Sequence, residues 1–375
     1  MQFRDLKIQY HFLKNDIDDA VIKVMDNCNF INGQQVKDLE NNLAEFVGTK
    51  YCISCANGTD ALTLCLMALE VKEGDAVFVP DFTFFSAGEV VSSIKATPIF
   101  VDVCQDTYNM DPVSLKDAIE KVNQEGLLIP KVVIPTDLFG LPYDVEKINK
   151  IAHDNNLSVL EDGAQGFGGS YKGKRACSFG DLSITSFFPV KPLGCYGDGG
   201  AIFTDDLKMK ELLESFRVHG KGTFKYDNVR IGMNSRLDTI QAAILNVKLK
   251  AFMEYELKDI NLIANRLMKN LENSVKIPTI KQNYSSSWAQ FTIQLKNEDE
   301  RNFLQTELKK KDIPSMIYYP KAMHKQLAFQ GLKEYVKTPI SHDLCKTVLS
   351  IPIHPYMTEK DISLIVDEIV NIIII

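Results

Sequence analysis

No stretch of the chain is apolar for anything like the length of a bilayer span, and the terminal Ile372-Ile373-Ile374-Ile375 is far too short. The opening Met1-Gln2-Phe3-Arg4-Asp5 is polar and carries no signal peptide. A cytoplasmic protein without a membrane partner is therefore expected. Metal-binding spacing is also missing. Of the eight cysteines only Cys52 and Cys55 form a CxxC, and neither a second CxxC nor paired histidines accompany it, which argues against zinc. A redox dithiol would want a helix N-terminus, whereas Tyr51-Cys52-Ile53-Ser54-Cys55 reads as a buried strand with reduced core thiols. An excess of positive charge is absent: the net charge of −7 excludes nucleic acid as a general partner. A phosphorylated small molecule remains compatible where basic residues converge. Repeats, low-complexity segments and long linkers are lacking as well.

What is present is an ordinary globular chain of 375 residues, 45% apolar and 24% charged, long enough for two domains. From residue 48 to about 205, short apolar runs alternate with helical patterns, as in a mostly parallel α/β sheet covered on both faces. The clearest strands are Ala76–Pro80, Ile99–Val103, Lys131–Pro135, Ser158–Glu161, Ser183–Phe187 and Gly200–Thr204. Helices fit Thr59–Leu69, Ser86–Ile94, Pro112–Lys121 and Tyr143–His153. Ser235 to Leu271 holds neither Gly nor Pro and repeats apolar residues near helical spacing, as one long helix or two broken near Tyr255. Beyond it the pattern is α+β: a strand at Ala289–Leu295, extended pieces at Ile317–Pro320 and Leu349–Pro355, and helices near Arg301–Lys310 and Glu359–Ile372. We expect a large domain over 1–250 and a smaller C-terminal one over 251–375.

Three motifs fall at carboxyl ends of the proposed strands, where open α/β sheets bind ligands. Ala56-Asn57-Gly58-Thr59-Asp60-Ala61 ends one strand and starts a helix; it reads either as a phosphate cradle or as a helix capped by Asn57 or Thr59. Val159-Leu160-Glu161-Asp162-Gly163-Ala164-Gln165 puts acid at the end of an apolar strand. There it needs a cation, such as a pyridinium nitrogen, or else caps the next turn. In Ser186-Phe187-Phe188-Pro189-Val190-Lys191-Pro192, Pro189 and Pro192 stiffen the backbone around Lys191. The phenylalanines and Val190 are expected to be buried and so to lower the amine's pKa. Such an amine can form a Schiff base with a substrate carbonyl or with pyridoxal phosphate. Ser186 could add a phosphate contact, and Pro80-Asp81-Phe82-Thr83-Phe84-Phe85 offers an aromatic face to a flat ring.

Asn57-Gly58-Thr59-Asp60-Ala61-Leu62, Glu161-Asp162-Gly163-Ala164-Gln165, Ser186 to Lys191, Gly197-Asp198-Gly199-Gly200 and Asn234-Ser235-Arg236-Leu237-Asp238 occur in the order found in the DegT/DnrJ sugar-nucleotide aminotransferases. The chain resembles that family from Phe3-Arg4-Asp5-Leu6 to His354-Pro355-Tyr356. The resemblance implies the aspartate aminotransferase-like α/β fold and pyridoxal phosphate as cofactor. It implies that Lys191 bonds the cofactor and shuttles protons, Asp162 pairs with the pyridine nitrogen, Gln165 contacts the ring hydroxyl, and Phe84 stacks on the ring. Gly58, Thr59, Asp60 and Ser186 would hold the phosphate. Asn234 and Arg236 would reach the neighbouring subunit's site in a homodimer, and Tyr318, Tyr319 and His324 would line the sugar-nucleotide pocket. His219 is a candidate for the entrance, or a structural histidine.

The implied reaction moves an amino group from L-glutamate to a nucleotide-linked keto sugar. The segments Tyr51 to Ala56 and Lys191 to Tyr196 look most like enzymes that aminate C3 of UDP-2-acetamido-3-keto sugars, the glucuronate included, for O-antigen, lipid A or capsule assembly. Amination at C4, or of a dTDP- or GDP-keto sugar, is the alternative, and a non-catalytic regulatory protein on the same fold is the rival of another class. Thr136-Asp137, Tyr318 and Ala322 depart from common family residues and bear on which sugar is used.

Overall fold

A computed structural model describes residues 1–224 and 226–374; Ile375, the end of the isoleucine run, lies outside them. Seven strands form the main sheet: β1 (Tyr51–Cys55), β2 (Asp75–Pro80), β3 (Thr97–Val101), β4 (Ile129–Val133), β5 (Ser158–Asp162), β6 (Leu182–Ser186) and β7 (Gly200–Thr204). Their order is β1-β7-β6-β5-β4-β2-β3. β7 runs antiparallel to both neighbours, and the other pairings are parallel. The mixed, mostly parallel α/β fold is the expected one.

Alternation along the strands explains why both faces must be covered. Val77 and Val79 of β2 enter one apolar cluster with Val132, Leu160 and Ile184, while Ala76 and Phe78 enter another with Val133 and Val159. Neighbouring residues on a strand point to opposite faces, so a strand apolar throughout needs helices on both sides. Because β7 reverses direction between β1 and β6, the last residues of β1, β5 and β6 and the first of β7 meet at one edge. There Gly200 is paired with both Cys55 and Ser186.

The long helical stretch resolves as Thr239–Ala251 and Leu257–Leu271, joined by a π-helical turn over Phe252–Glu256 that contains the expected break point, Tyr255. The axis continues through a widened turn rather than ending. Leu257–Leu271, Glu298–Lys310, Glu359–Ile374 and a two-stranded antiparallel ladder of Phe291–Gln294 with Val348–Ile351 share a separate apolar cluster. Four helices lie outside the sequence expectations: Leu6–Asn27, Gln34–Val47, Leu207–Phe216 and Pro339–Thr347. In the first of these Leu13, Ile17 and Val24 are buried, but so is Gln9, while Phe12 is 71% exposed and Ile22 54%, so apolar residues fall on both faces. Among the described residues no helix is long and apolar enough to cross a membrane.

Candidate active site

At the shared sheet edge lies a cavity of about 650 Å³. Gly58, Thr59, Asp60, Phe84, Asp162, Ser186, Lys191, Tyr318 and Tyr319 all line it. The structure thus brings nine of the fourteen sequence-predicted site residues around one space.

The wall at the end of β1 is a helix start, Gly58–Ala68. Asn57 caps it by accepting the Asp60 N–H at 2.7 Å, which leaves the amides of Gly58 and Thr59 at the open, electropositive end. A Cβ on Gly58 would lie 2.9 Å from the Ser186 Cβ, and one on Gly200 would lie 2.6 Å from the Asn57 carbonyl. Both glycines are needed for the backbones to approach this closely. The Ser186 hydroxyl accepts the Phe188 N–H at 3.3 Å and keeps its own proton to donate. The Asn57 cap therefore leaves the Gly58 and Thr59 amides open, so capping and a phosphate cradle are compatible at this helix start.

Opposite stands Asp162, 4% exposed, whose carboxylate has a single protein donor among the described residues, the Ala164 N–H at 3.1 Å. Burial raises its pKa above the ordinary carboxylate value, while the Ala164 amide and the Lys191 ammonium oppose that rise. Burial lowers the Lys191 pKa and Asp162 opposes it, so the two groups sense one another across the cavity. The Lys191 N–H closes a turn onto the Phe188 carbonyl at 2.8 Å. Phe187 is fully buried as expected, but Phe188 and Val190 are 50% and 42% exposed. Those two line the cavity instead of the core, because the turn around Pro189 carries the chain out of the strand. An amine, an under-coordinated carboxylate, an open helix start and the ring of Phe84 match the aldehyde, pyridine nitrogen, phosphate and flat face of pyridoxal phosphate. The residues present fit that group.

Comparison with known proteins decides the family. The model of the DegT/DnrJ/EryC1/StrS aminotransferase family matches residues 12–370. The chain belongs to this aminotransferase family. It is 41% identical over 371 residues to the UDP-2-acetamido-2-deoxy-3-oxo-D-glucuronate aminotransferase of Pseudomonas aeruginosa, covering 99% of this chain and 100% of that protein. It superposes on the crystal structure of a DegT DnrJ EryC1 StrS aminotransferase from Brucella abortus with a TM-score of 0.97 at 43% identity, covering 100% and 99% of the two chains. DesV of S. venezuelae, solved in complex with a ketimine intermediate, gives a TM-score of 0.91 at 28% identity, with 99% and 97% covered.

In this aminotransferase the remaining five predicted residues lie off the cavity wall. Gln165 is buried behind Tyr319: its Oε1 accepts the Phe139 N–H at 2.9 Å and its Nε2 donates to the Tyr319 hydroxyl at 3.1 Å. His324 is engaged by Asp81, with Nδ1 2.6 Å from one carboxylate oxygen and its backbone N–H donated to the other at 2.8 Å. Arg236 donates to the Asn234 side chain at 2.6 Å on the exposed surface, and His219 is likewise exposed. The sequence reading overlooked Gln290, whose buried Oε1 has no hydrogen-bond partner among the described residues although the residue lines the cavity. One amide among strand residues gives no signal of such a role.

Behind the site, Asp137 and Glu161 are both fully buried and close enough to couple. Glu161 accepts from the Ser183 hydroxyl and the Phe179 N–H, each at 2.7 Å; these oppose its burial, which still raises its pKa. Asp137 receives the Tyr143 N–H at 3.0 Å on one oxygen, and its side chain meets Glu161, to which it donates when protonated. Burial beside Glu161 pushes the Asp137 carboxyl far up. A carboxyl whose pKa is higher folded than unfolded binds more protons when folded, so its contribution to stability falls as pH climbs above about 4. Asp137→Asn cannot ionise and is expected to raise the thermal midpoint at about pH 8 by about 2–4 °C, with little change at pH 4. Equal shifts at both pH values, read by circular dichroism, would contradict this.

Proposed function

We propose that this aminotransferase uses pyridoxal phosphate to carry the amino group of L-glutamate to C3 of a UDP-2-acetamido-3-keto sugar, for cell-surface polysaccharide or lipid A. The observation that carries the chemistry is the single cavity lined by both Lys191 and Asp162. The preference for a 3-keto UDP sugar rests on the Pseudomonas relative, which shares nearly the whole chain. The reading treats 1–250 as the cofactor-binding domain and 251–375 as the smaller one. All eight cysteines are free thiols, which suits a reducing cytoplasm.

When bound, the cofactor supplies an electron sink for the carbanion left as a proton departs from the amino acid. Lys191 would take that proton from the α-carbon and carry it through the 1,3-transfer, and its burial-lowered pKa keeps a larger neutral fraction available for doing so. Asp162 holds the ring nitrogen protonated. The amides of Gly58 and Thr59, with Asp60 at the same helix start and the Ser186 hydroxyl, orient the phosphate. Phe84 covers the ring. The second amide proton of Gln165 is left for the ring hydroxyl. Tyr318 and Tyr319 flank the space for the sugar nucleotide, while His324 supports that wall through Asp81. Asn234, exposed, and Arg236, half-buried on the same loop, reach the neighbouring subunit's site in a homodimer, with His219 near its entrance.

The test is a coupled assay on purified protein with pyridoxal phosphate. L-Glutamate should give 2-oxoglutarate, and UDP-2-acetamido-3-keto sugar should then accept the amine. Amination of only 4-keto dTDP sugars would move the assignment to the alternative substrate class. No consumption of glutamate or any other amino donor would contradict the transaminase reading.

A further inference from the structure

The loop that carries Lys191 is short of hydrogen-bond donors, since Pro189 and Pro192 have no N–H. Its own backbone closes it in two places: the Lys191 N–H to Phe188 O at 2.8 Å, and the Cys195 N–H to Phe187 O at 2.8 Å. The carbonyls of Pro192 and Gly194 take their donors from far along the chain. Arg4 Nη2 donates to Pro192 O at 3.2 Å, and Lys248 Nζ donates to Gly194 O. Gly194 itself is wedged so tightly that a Cβ would lie 2.4 Å from the Pro189 carbonyl oxygen.

Lys248 is 1% exposed, an unusual state for a lysine, which normally carries its ammonium group to water. It occupies a position in the apolar row of helix Thr239–Ala251, four residues after Ile244. Its ammonium lies 4.9 Å from the centroid of the Tyr196 ring, and Tyr196 is held by Gln241 on both its N–H (2.8 Å) and its carbonyl (3.3 Å). The countercharge is Glu256, 3% exposed, which attracts both Lys248 and Arg4. The π-helical turn places Glu256 there, and Gln9 Nε2 (2.7 Å) and the Tyr356 hydroxyl (2.6 Å) fix its carboxylate. Burying an ammonium group is costly, and a methionine or leucine would fill the row without that cost. What the lysine adds is a donor aimed at the Lys191 loop.

We infer that Lys248, with Arg4 beside it and Glu256 as their shared counter-ion, is a positioning residue that fixes the backbone of the Lys191 loop from beneath. The inference rests on the reading of Lys191 as the reacting amine. Lys248 never faces the cavity; it acts through the Gly194 carbonyl.

Hydrogen exchange followed by mass spectrometry on the cofactor-free protein gives a readout independent of turnover. In Lys248→Met, which keeps the stem and loses the donors, exchange in the peptide spanning 188–196 is expected to quicken about tenfold or more, while β2–β4 peptides stay unchanged. In the loaded enzyme kcat should fall about tenfold or more with the KM for glutamate nearly unaltered, as misplacement of a reacting group does. Unchanged exchange at 188–196, or a uniform rise across all peptides, would overturn the inference. Should Lys248→Met not fold, Arg4→Gln decides by the same exchange measurement. Wild-type protein that takes up no pyridoxal phosphate would instead overturn the reading of the cavity, and the exchange result would stand apart from it.

Discussion

Lys191→Ala should lose turnover by at least about 10²–10⁴-fold, the span that a positioned acid–base group contributes, while its thermal midpoint stays close to wild type. Three features set this expectation. Lys191 is the one amine that lines the cavity among the described residues, it sits on a loop stiffened by two prolines, and burial has already lowered its pKa. Alanine removes the amine without disturbing the Phe188 carbonyl, which receives the backbone N–H of residue 191 and not its side chain. The variant should still take up pyridoxal phosphate, because the helix start at Gly58 and Thr59 is intact, but without the absorbance of a cofactor bound covalently to lysine. Steady-state kinetics with L-glutamate and a visible spectrum of the reconstituted protein check both halves. Turnover within tenfold of wild type would remove Lys191 from its role.

Asp162→Asn is the second large effect. The asparagine is nearly isosteric and its carbonyl oxygen can still accept the Ala164 N–H, so the fold should hold. What vanishes is the charge. A neutral amide cannot stabilise a protonated ring nitrogen, and preorganised electrostatic partners of this kind are worth about 10²–10³ in kcat when removed. The substitution also deletes the attraction that opposes the burial of Lys191, so the amine's pKa should drop further. The pH dependence of chemical acylation of Lys191 in the cofactor-free protein should show its midpoint moving to lower pH than in wild type. A variant with wild-type kcat and an unmoved midpoint would mean that Asp162 serves only to cap its turn.

How much of this was legible in the sequence differs by element. The sheet strands read clearly because their apolar runs are bounded by turn residues, and they are buried on both faces, as β2 is along its whole length. The cavity residues were legible through the order of several motifs together, since the lysine and the strand-end acid each kept a second reading when taken alone. The helix Leu6–Asn27 was not, since its outward face carries Phe12, Ile22 and Met25 while Gln9 faces inward to Glu256. Phe188 and Val190 misled in the same way: apolar residues beside a buried strand suggest core, yet a single turn redirected them to the cavity. Nor could spacing reveal that Arg4, Lys248 and Glu256 converge, because they lie on separate helical segments or at the chain's start. The only sequence trace of Lys248 is a charge interrupting an apolar i, i+4 row.

The most direct test is a crystal structure of the protein soaked with pyridoxal phosphate. The predicted result is density continuous with Lys191 Nζ, the ring nitrogen within hydrogen-bonding distance of Asp162, and the phosphate against the amides of Gly58 and Thr59. Cofactor bound at another lysine, or with Asp162 turned away from the ring, would contradict the account.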